Sequence, residues 1–154
     1  VRRETKNLEE THDVAKDFVA SLNALARNGQ MGDGAIVVGM SGDLGSGKTS
    51  FVQGIAKHLG VKDKIISPTF VIQKRYPLKD HTYFKNLAHI DAYRLEKPEE
   101  ILKIGWYDLT KEKRNIIFIE WPEKIGPLLP KDHKKIIFEF VDPDKRLIDL
   151  IDIE

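Results

Sequence analysis

An α/β fold, with a mostly parallel central sheet flanked by helices, follows from three observations. A short, continuous, β-branched run, AIVVGM at 35–40, has the character of a strand buried on both faces. The glycine-rich stretch GDLGSGKTS, Gly42 to Ser50, follows it directly. Next comes a helical pattern of Val52, Ile55, Ala56 and Leu59, stopped by Gly60. Strand, glycine-rich turn and helix, in that order, are the context required for G-x-x-x-x-G-K-[ST], which Gly42, Gly47, Lys48 and Thr49 satisfy. The predicted architecture is therefore that of the P-loop NTPases, with a C-terminal pair of strands.

Before the loop, Thr11, Val14, Phe18, Leu22 and Leu25 recur at helical spacing, ended by Asn28-Gly29. Asn7 and Glu10 form a capping box at the start of this helix. Beyond the loop, TFVIQKRYP and TYFKNLAHIDAY read as two strands joined by a turn, the second carrying an acid at its end. A short helix is expected after Pro98, with Glu99 and Glu100 in its first turn. NIIFIE is another buried strand, ending at Glu120. In the tail, KKIIFEFV and LIDLIDIE flank the turn DPDKR, with Ile136, Phe138 and Phe140 expected on one face.

The sequence shows no internal repeat, low-complexity segment or linker, and its 154 residues with 41% hydrophobic content suit one P-loop domain over 1–154. Twenty-five basic against 24 acidic residues give no overall drive toward nucleic acid or anionic membrane. The lysines Lys62, Lys64, Lys74 and Lys79 read as solvated faces. Cysteine is absent, which excludes disulfides, thiolate zinc sites and cysteine nucleophiles. No apolar stretch approaches the roughly 20 residues of a membrane span, so no membrane association is expected and the cytoplasm is the default location.

The chemistry concentrates in the loop. Gly42, Asp43, Leu44, Gly45, Ser46, Gly47, Lys48, Thr49 and Ser50 are the predicted nucleotide cradle. Its glycines let backbone N–H groups converge on phosphate oxygens, Lys48 reaches the β and γ phosphates, and the Thr49 hydroxyl ligates Mg²⁺. Magnesium also needs carboxylate, directly or through water. Asp91 closes LAHID and Glu120 closes IIFIE, and strand carboxyl ends face the ligand crevice of an open α/β sheet. His89, two residues from Asp91, shares a strand face with it, as do Leu87 and Tyr93. This His-x-Asp pair is expected to orient the polar shell of Mg²⁺, since no cluster of further ligands supports zinc or iron. SPTF, Ser67 to Phe70, offers the Thr69 hydroxyl to γ-phosphate, metal or attacking water.

A guanine-reading N-K-x-D is absent after every asparagine, which favours ATP over GTP. A small-molecule kinase is an alternative, although only Arg75, Arg94, Arg114 and Arg146 follow the loop and none forms an arginine-rich lid. A nucleotide-sensing module that does not hydrolyse is a further alternative.

GDLGSGKTSFVQGI, SPTF, HIDAYRL, PEEILKIGWYD and IEWPEKI stand in an order and spacing that resembles the bacterial TsaE (YjeE) proteins, from the first helix to about Pro130. The resemblance implies an ATPase needed for threonylcarbamoyladenosine beside the anticodon of tRNA. It acts with TsaB and with the transferase TsaD, meets tRNA through that complex, and hydrolyses slowly alone. It also implies that Asp91 and Glu120 are the essential acids, serving as magnesium ligands or in catalysis, with Thr69 a sensor. Thr11 would approach the base. Trp121 reads equally as a core residue, a neighbour of the nucleotide or a partner surface.

Overall fold

The computed structural model describes residues 1–43, 45–63, 65, 72–79, 81 and 83–151. The strands are β1 (Arg2–Thr5), β2 (Ile36–Ser41), β3 (Gln73–Pro77), β4 (Asn86–Asp91), β5 (Asn115–Glu120), β6 (Lys134–Asp142) and β7 (Lys145–Ile151). The α-helices are α1 (Leu8–Arg27), α2 (Lys48–His58) and α3 (Trp106–Lys111), with a 3₁₀ helix over Pro98–Ile104. The seven strands form one sheet in the order β1-β7-β6-β2-β5-β4-β3. Its centre, β6-β2-β5-β4, is parallel, whereas β3, β7 and β1 pair antiparallel outside it.

Strand periodicity decides what faces what. On β5, Ile116 and Phe118 point to the layer formed by α1 and α2, while Ile117 and Ile119 point to the layer holding Ile101, Trp106, Leu109 and Ile125. β4 divides likewise, with Leu87 toward the first layer and Ala88 and Ile90 toward the second. Edge-on rings of Phe18, Phe51, Phe118 and Phe138 tie α1, α2 and the sheet together, with centroids 5.5–6.3 Å apart.

The cap of α1 is as the sequence reads: Asn7 Oδ1 accepts from the Glu10 N–H at 2.8 Å. Glu10 reaches back one residue further than the simple box, to the Lys6 N–H. Several boundaries differ from expectation. β1 has no counterpart in the sequence reading. β4 begins at Asn86 rather than at residue 82, because His81 Nδ1 accepts from the N–H groups of Tyr83 (3.1 Å) and Phe84 (2.9 Å), diverting the chain from a ladder. That geometry places the ring proton on Nε2, which donates to Asn23 Oδ1 at 3.0 Å. Burial holds the His81 pKa below its ordinary value. The helix after Pro98 is a 3₁₀ helix, broken from α3 by Gly105 in the left-handed region. Phe140, past the covered part of β6, is half exposed, with the Arg146 guanidinium 4.4 Å from its ring centroid.

Candidate nucleotide site

The parallel centre of the sheet turns β2, β4 and β5 so that their carboxyl ends lie side by side. From the end of β2, Gly42 and the turn after it lead into α2, whose first residue is Lys48. Gly42 has φ +150°, and a side chain there would stand 2.5 Å from the Phe138 carbonyl oxygen and 2.8 Å from Ser46 Oγ. Glycine is therefore required by close approach to β6 as well as by backbone conformation.

Asp91 and Glu120 are register partners on the adjacent strands β4 and β5. By alternation from Leu87 and Phe118, both project to the layer of α2. Neighbouring strands lie about 4.8 Å apart, so the two carboxylates flank one space. Both are buried. Asp91 Oδ1 accepts the Tyr93 N–H at 2.9 Å. Glu120 Oε2 lies 2.8 Å from Nε2 of the fully buried His89.

These groups line a cavity of about 360 Å³. Its floor is Gly45, Gly47, Lys48, Thr49 and Ser50, with Asp91, Glu120 and Trp121 beside it. Its walls are Thr5, Lys6, Asn7, Leu8 and Thr11 together with Pro143, Asp144 and Arg146, Thr5 and Arg146 being register partners on the adjacent strands β1 and β7. Lys48 is buried, donates to the Gly42 carbonyl and lies 4.7 Å from the Trp121 ring centroid. Trp121 adopts φ +58°, an unfavourable backbone for a bulky residue of the kind that collects at functional sites. Its ring also meets Tyr93, centroid to centroid at 5.3 Å.

Of the residues expected from sequence, Gly45, Gly47, Lys48, Thr49, Ser50, Asp91, Glu120 and Thr11 meet at this cavity. Gly42, Asp43 and Ser46 shape the loop from behind rather than line it: Asp43 O accepts the Ser46 N–H at 3.1 Å, and Ser46 is buried. Leu44 and Thr69, with the whole of SPTF, lie outside the described residues. Thr11 Oγ1 is engaged with Thr5 Oγ1 at 3.2 Å and Asn7 O at 3.3 Å. Of the walls, sequence reading assigned only Thr11 to the site. Arg146, whose Nε donates to Gly45 O at 3.1 Å, stands at the start of β7, where no diagnostic residue marks it, and Thr5 and Lys6 come from the unpredicted β1 and the residue after it.

For a cation, the lining offers the Thr49 hydroxyl and the Asp91 and Glu120 carboxylates, with the Asp144 carboxylate also at the cavity. Among the described residues no group of three or more His, Asp or Glu gathers as a self-sufficient metal cage. A hard, sparsely ligated and largely hydrated ion such as Mg²⁺ fits that set. Among the described residues, no helix is long and apolar enough to cross a membrane.

Comparison with known proteins gives a consistent result. The family model described as threonylcarbamoyl adenosine biosynthesis protein TsaE matches residues 5–148. The tRNA threonylcarbamoyladenosine biosynthesis protein TsaE of Rickettsia felis is 38% identical over 146 residues, covering 94% of this chain and 76% of that protein. Its namesake from Rickettsia bellii is 37% identical, covering 92% and 88%. The Bacillus subtilis protein of that name is 33% identical, covering 94% and 80%. The crystal structure of Bacillus subtilis YdiB superposes with a TM-score of 0.68 at 27% identity, over 97% of this chain and 83% of that one.

Proposed function

The chain belongs to the TsaE family of threonylcarbamoyl adenosine biosynthesis proteins, and on that premise we propose that it is a Mg²⁺-dependent ATPase whose turnover serves the tRNA-modifying proteins TsaB and TsaD. The observation that carries the reading is the meeting of Lys48, Thr49, Asp91 and Glu120 at one cavity. A P-loop lysine and hydroxyl alone would bind a triphosphate; two buried carboxylates at its side supply what hydrolysis adds.

In this reading the N-terminus of α2 and the loop N–H groups hold the β and γ phosphates. Lys48 exchanges the Gly42 carbonyl for phosphate oxygen, so the Gly42 contact holds the ammonium in place until nucleotide arrives. Thr49, with Asp91 or Glu120, would hold Mg²⁺, which when bound would neutralise charge developing on the phosphates. The remaining carboxylate orients water in line with the γ-phosphorus. Attack forms the new P–O bond as the bond to the β–γ bridging oxygen breaks; ADP and inorganic phosphate leave, and the water's proton passes to phosphate or solvent. The half-exposed Tyr93 and the partly buried Trp121 beside the site offer a surface through which a partner can complete the arrangement, so the chain alone should hydrolyse ATP slowly.

The test combines ATP binding, hydrolysis with and without TsaB and TsaD, and threonylcarbamoyladenosine content of tRNA in cells deleted for the gene. Lys48→Ala should abolish binding, whereas Asp91→Asn and Glu120→Gln should retain ATP yet lose turnover by about 100-fold or more. Full turnover in both acid variants, or normally modified tRNA in the deletion strain with no second copy present, refutes the proposal.

A further inference from the structure

Strand alternation alone would make position 89 a core residue: it follows Leu87 on the same face and is wholly buried. An imidazole there carries two polar nitrogens into the interior, and such groups persist where they are hydrogen-bonded. Only one is. His89 Nε2 contacts Glu120 Oε2 at 2.8 Å, whereas the buried Nδ1 has no partner among the described residues. Because an ionised carboxylate only accepts, the proton of this contact sits on Nε2.

The pairing follows from the sheet. β4 and β5 run parallel with Asp91 opposite Glu120 and His89 opposite Phe118, so His89 is diagonal to Glu120, one side-chain repeat deeper in the core. Its ring reaches the far oxygen of Glu120 from below, while Glu120 lines the cavity above.

We propose that His89 is a positioning residue for Glu120: its Nε2–H pins Oε2 in one rotamer and leaves Oε1 toward the phosphate loop. This rests on the ATPase reading above for its consequence, though not for the contact itself. A glutamate has three side-chain torsions and would otherwise sample several orientations. Fixing it in advance places the carboxylate without reorganisation when nucleotide binds, as outer hydrogen-bond partners do for the ligands of metal sites. The unpaired Nδ1 is the cost of putting a donor at this depth.

Two substitutions separate positioning from packing. His89→Gln returns an N–H near the place of Nε2, whereas His89→Asn is polar but too short to reach Glu120. We expect His89→Asn to stay folded with a lowered Tm, since it buries an unpaired amide, yet keep its KM for ATP within about threefold and lose about 10- to 100-fold in kcat. His89→Gln should recover most of that loss. In a Glu120→Gln background either change should add little, since the group it positions is gone. Independent of turnover, ¹⁵N spectra should show His89 Nε2 protonated and Nδ1 bare, and Glu120→Ala should shift the Nε2 resonance. Equal kcat in His89→Asn and wild type, additive losses with Glu120→Gln, or a proton on Nδ1 overturns the proposal. A wild-type protein that hydrolyses no ATP with its partners overturns the ATPase reading instead. The nitrogen spectra, together with the Mg²⁺ dependence of ATP binding in His89→Asn, would then decide the positioning role.

Discussion

Replacing Gly42 by alanine tests whether the phosphate loop is built against β6. The added methyl would lie 2.5 Å from Phe138 O, 2.8 Å from Ser46 Oγ and 3.0 Å from Phe138 Cβ. Two of these atoms belong to a strand already paired with β2 up to Ser41 opposite Ile137, so they cannot swing away as a surface side chain would. Overpacking of this kind costs about 1–3 kcal/mol, and holding alanine at a strained positive φ costs about 1–3 kcal/mol more. The sum centres on about 4 kcal/mol, a loss in Tm of about 12 °C for a chain of this length. Gly45→Ala is the control. It too has positive φ, +78°, but a methyl there meets nothing within 4 Å among the described residues. Only the backbone term remains, about 1–2 kcal/mol. Thermal and urea unfolding without nucleotide should therefore separate the two variants by about 2–3 kcal/mol. Because Gly42 O is also the acceptor for Lys48, Gly42→Ala should weaken ATP binding as well. Equal destabilisation by both variants would refute the steric argument.

Nucleotide should draw Lys48 from the Trp121 ring and change that indole's emission. Trp106 is buried with Nε1 on Leu128 O at 3.1 Å and should give a constant background, so Trp121→Phe should abolish the ATP-dependent signal. Its persistence would mean that Trp121 does not report the site. Arg146→Ala removes the link from the β6–β7 turn to Gly45 and should cost about 1–2 kcal/mol, with faster amide exchange over Ser46–Lys48; unchanged exchange would detach the turn from the loop. The His81 pKa is lowered by burial, so the folded state holds fewer protons than the unfolded one just below the ordinary histidine value. The stability it confers is complete above about 6.5 and is lost as pH falls through the lowered folded value. His58 adds in the same direction, through burial first and the charge of Lys57 second. The Tm advantage of wild type over His81→Asn should thus narrow between about pH 7.5 and about pH 5; a constant or widening gap would show that His81 does not act by staying neutral.

What could be read from the sequence was local. The strand, loop and helix at 35–59, the Asn7 cap and the acids ending β4 and β5 are each set by residues within a few positions of one another. β1 could not be read that way. Arg2-Arg3-Glu4-Thr5 has no apolar alternation, because it is an edge strand bonded on one side to β7, and charge on an edge keeps it from pairing further. Its partner lies more than 140 residues away, so nothing near it in the chain announces a strand. Likewise, the place where the chain leaves β4's N-terminal side depends on His81 turning two N–H groups aside, a tertiary arrangement that the apolar run through Tyr83 and Phe84 conceals.

The same distinction explains why the floor of the cavity was legible and its walls were not. Phosphate chemistry demands particular residue types at fixed spacing, so the floor carries a signature. The walls are made where β7 lies between β1 and β6, which sets Thr5 beside Arg146 and brings both, with Lys6, Pro143 and Asp144, to the same cavity. Those positions are chosen by strand order, and almost any turn of suitable length would satisfy it. The His89–Glu120 contact falls between the two cases. Each residue was visible on its strand, yet their pairing joins residues 31 apart through the register of two strands, and only Asp91 standing opposite Glu120 sets the diagonal that joins them. A one-residue slip of β4 against β5 would keep every motif in the sequence and separate the donor from the carboxylate it holds. The candidate site therefore depends on the packing of both sheet faces, which fixes that register, as much as on the loop that marks it.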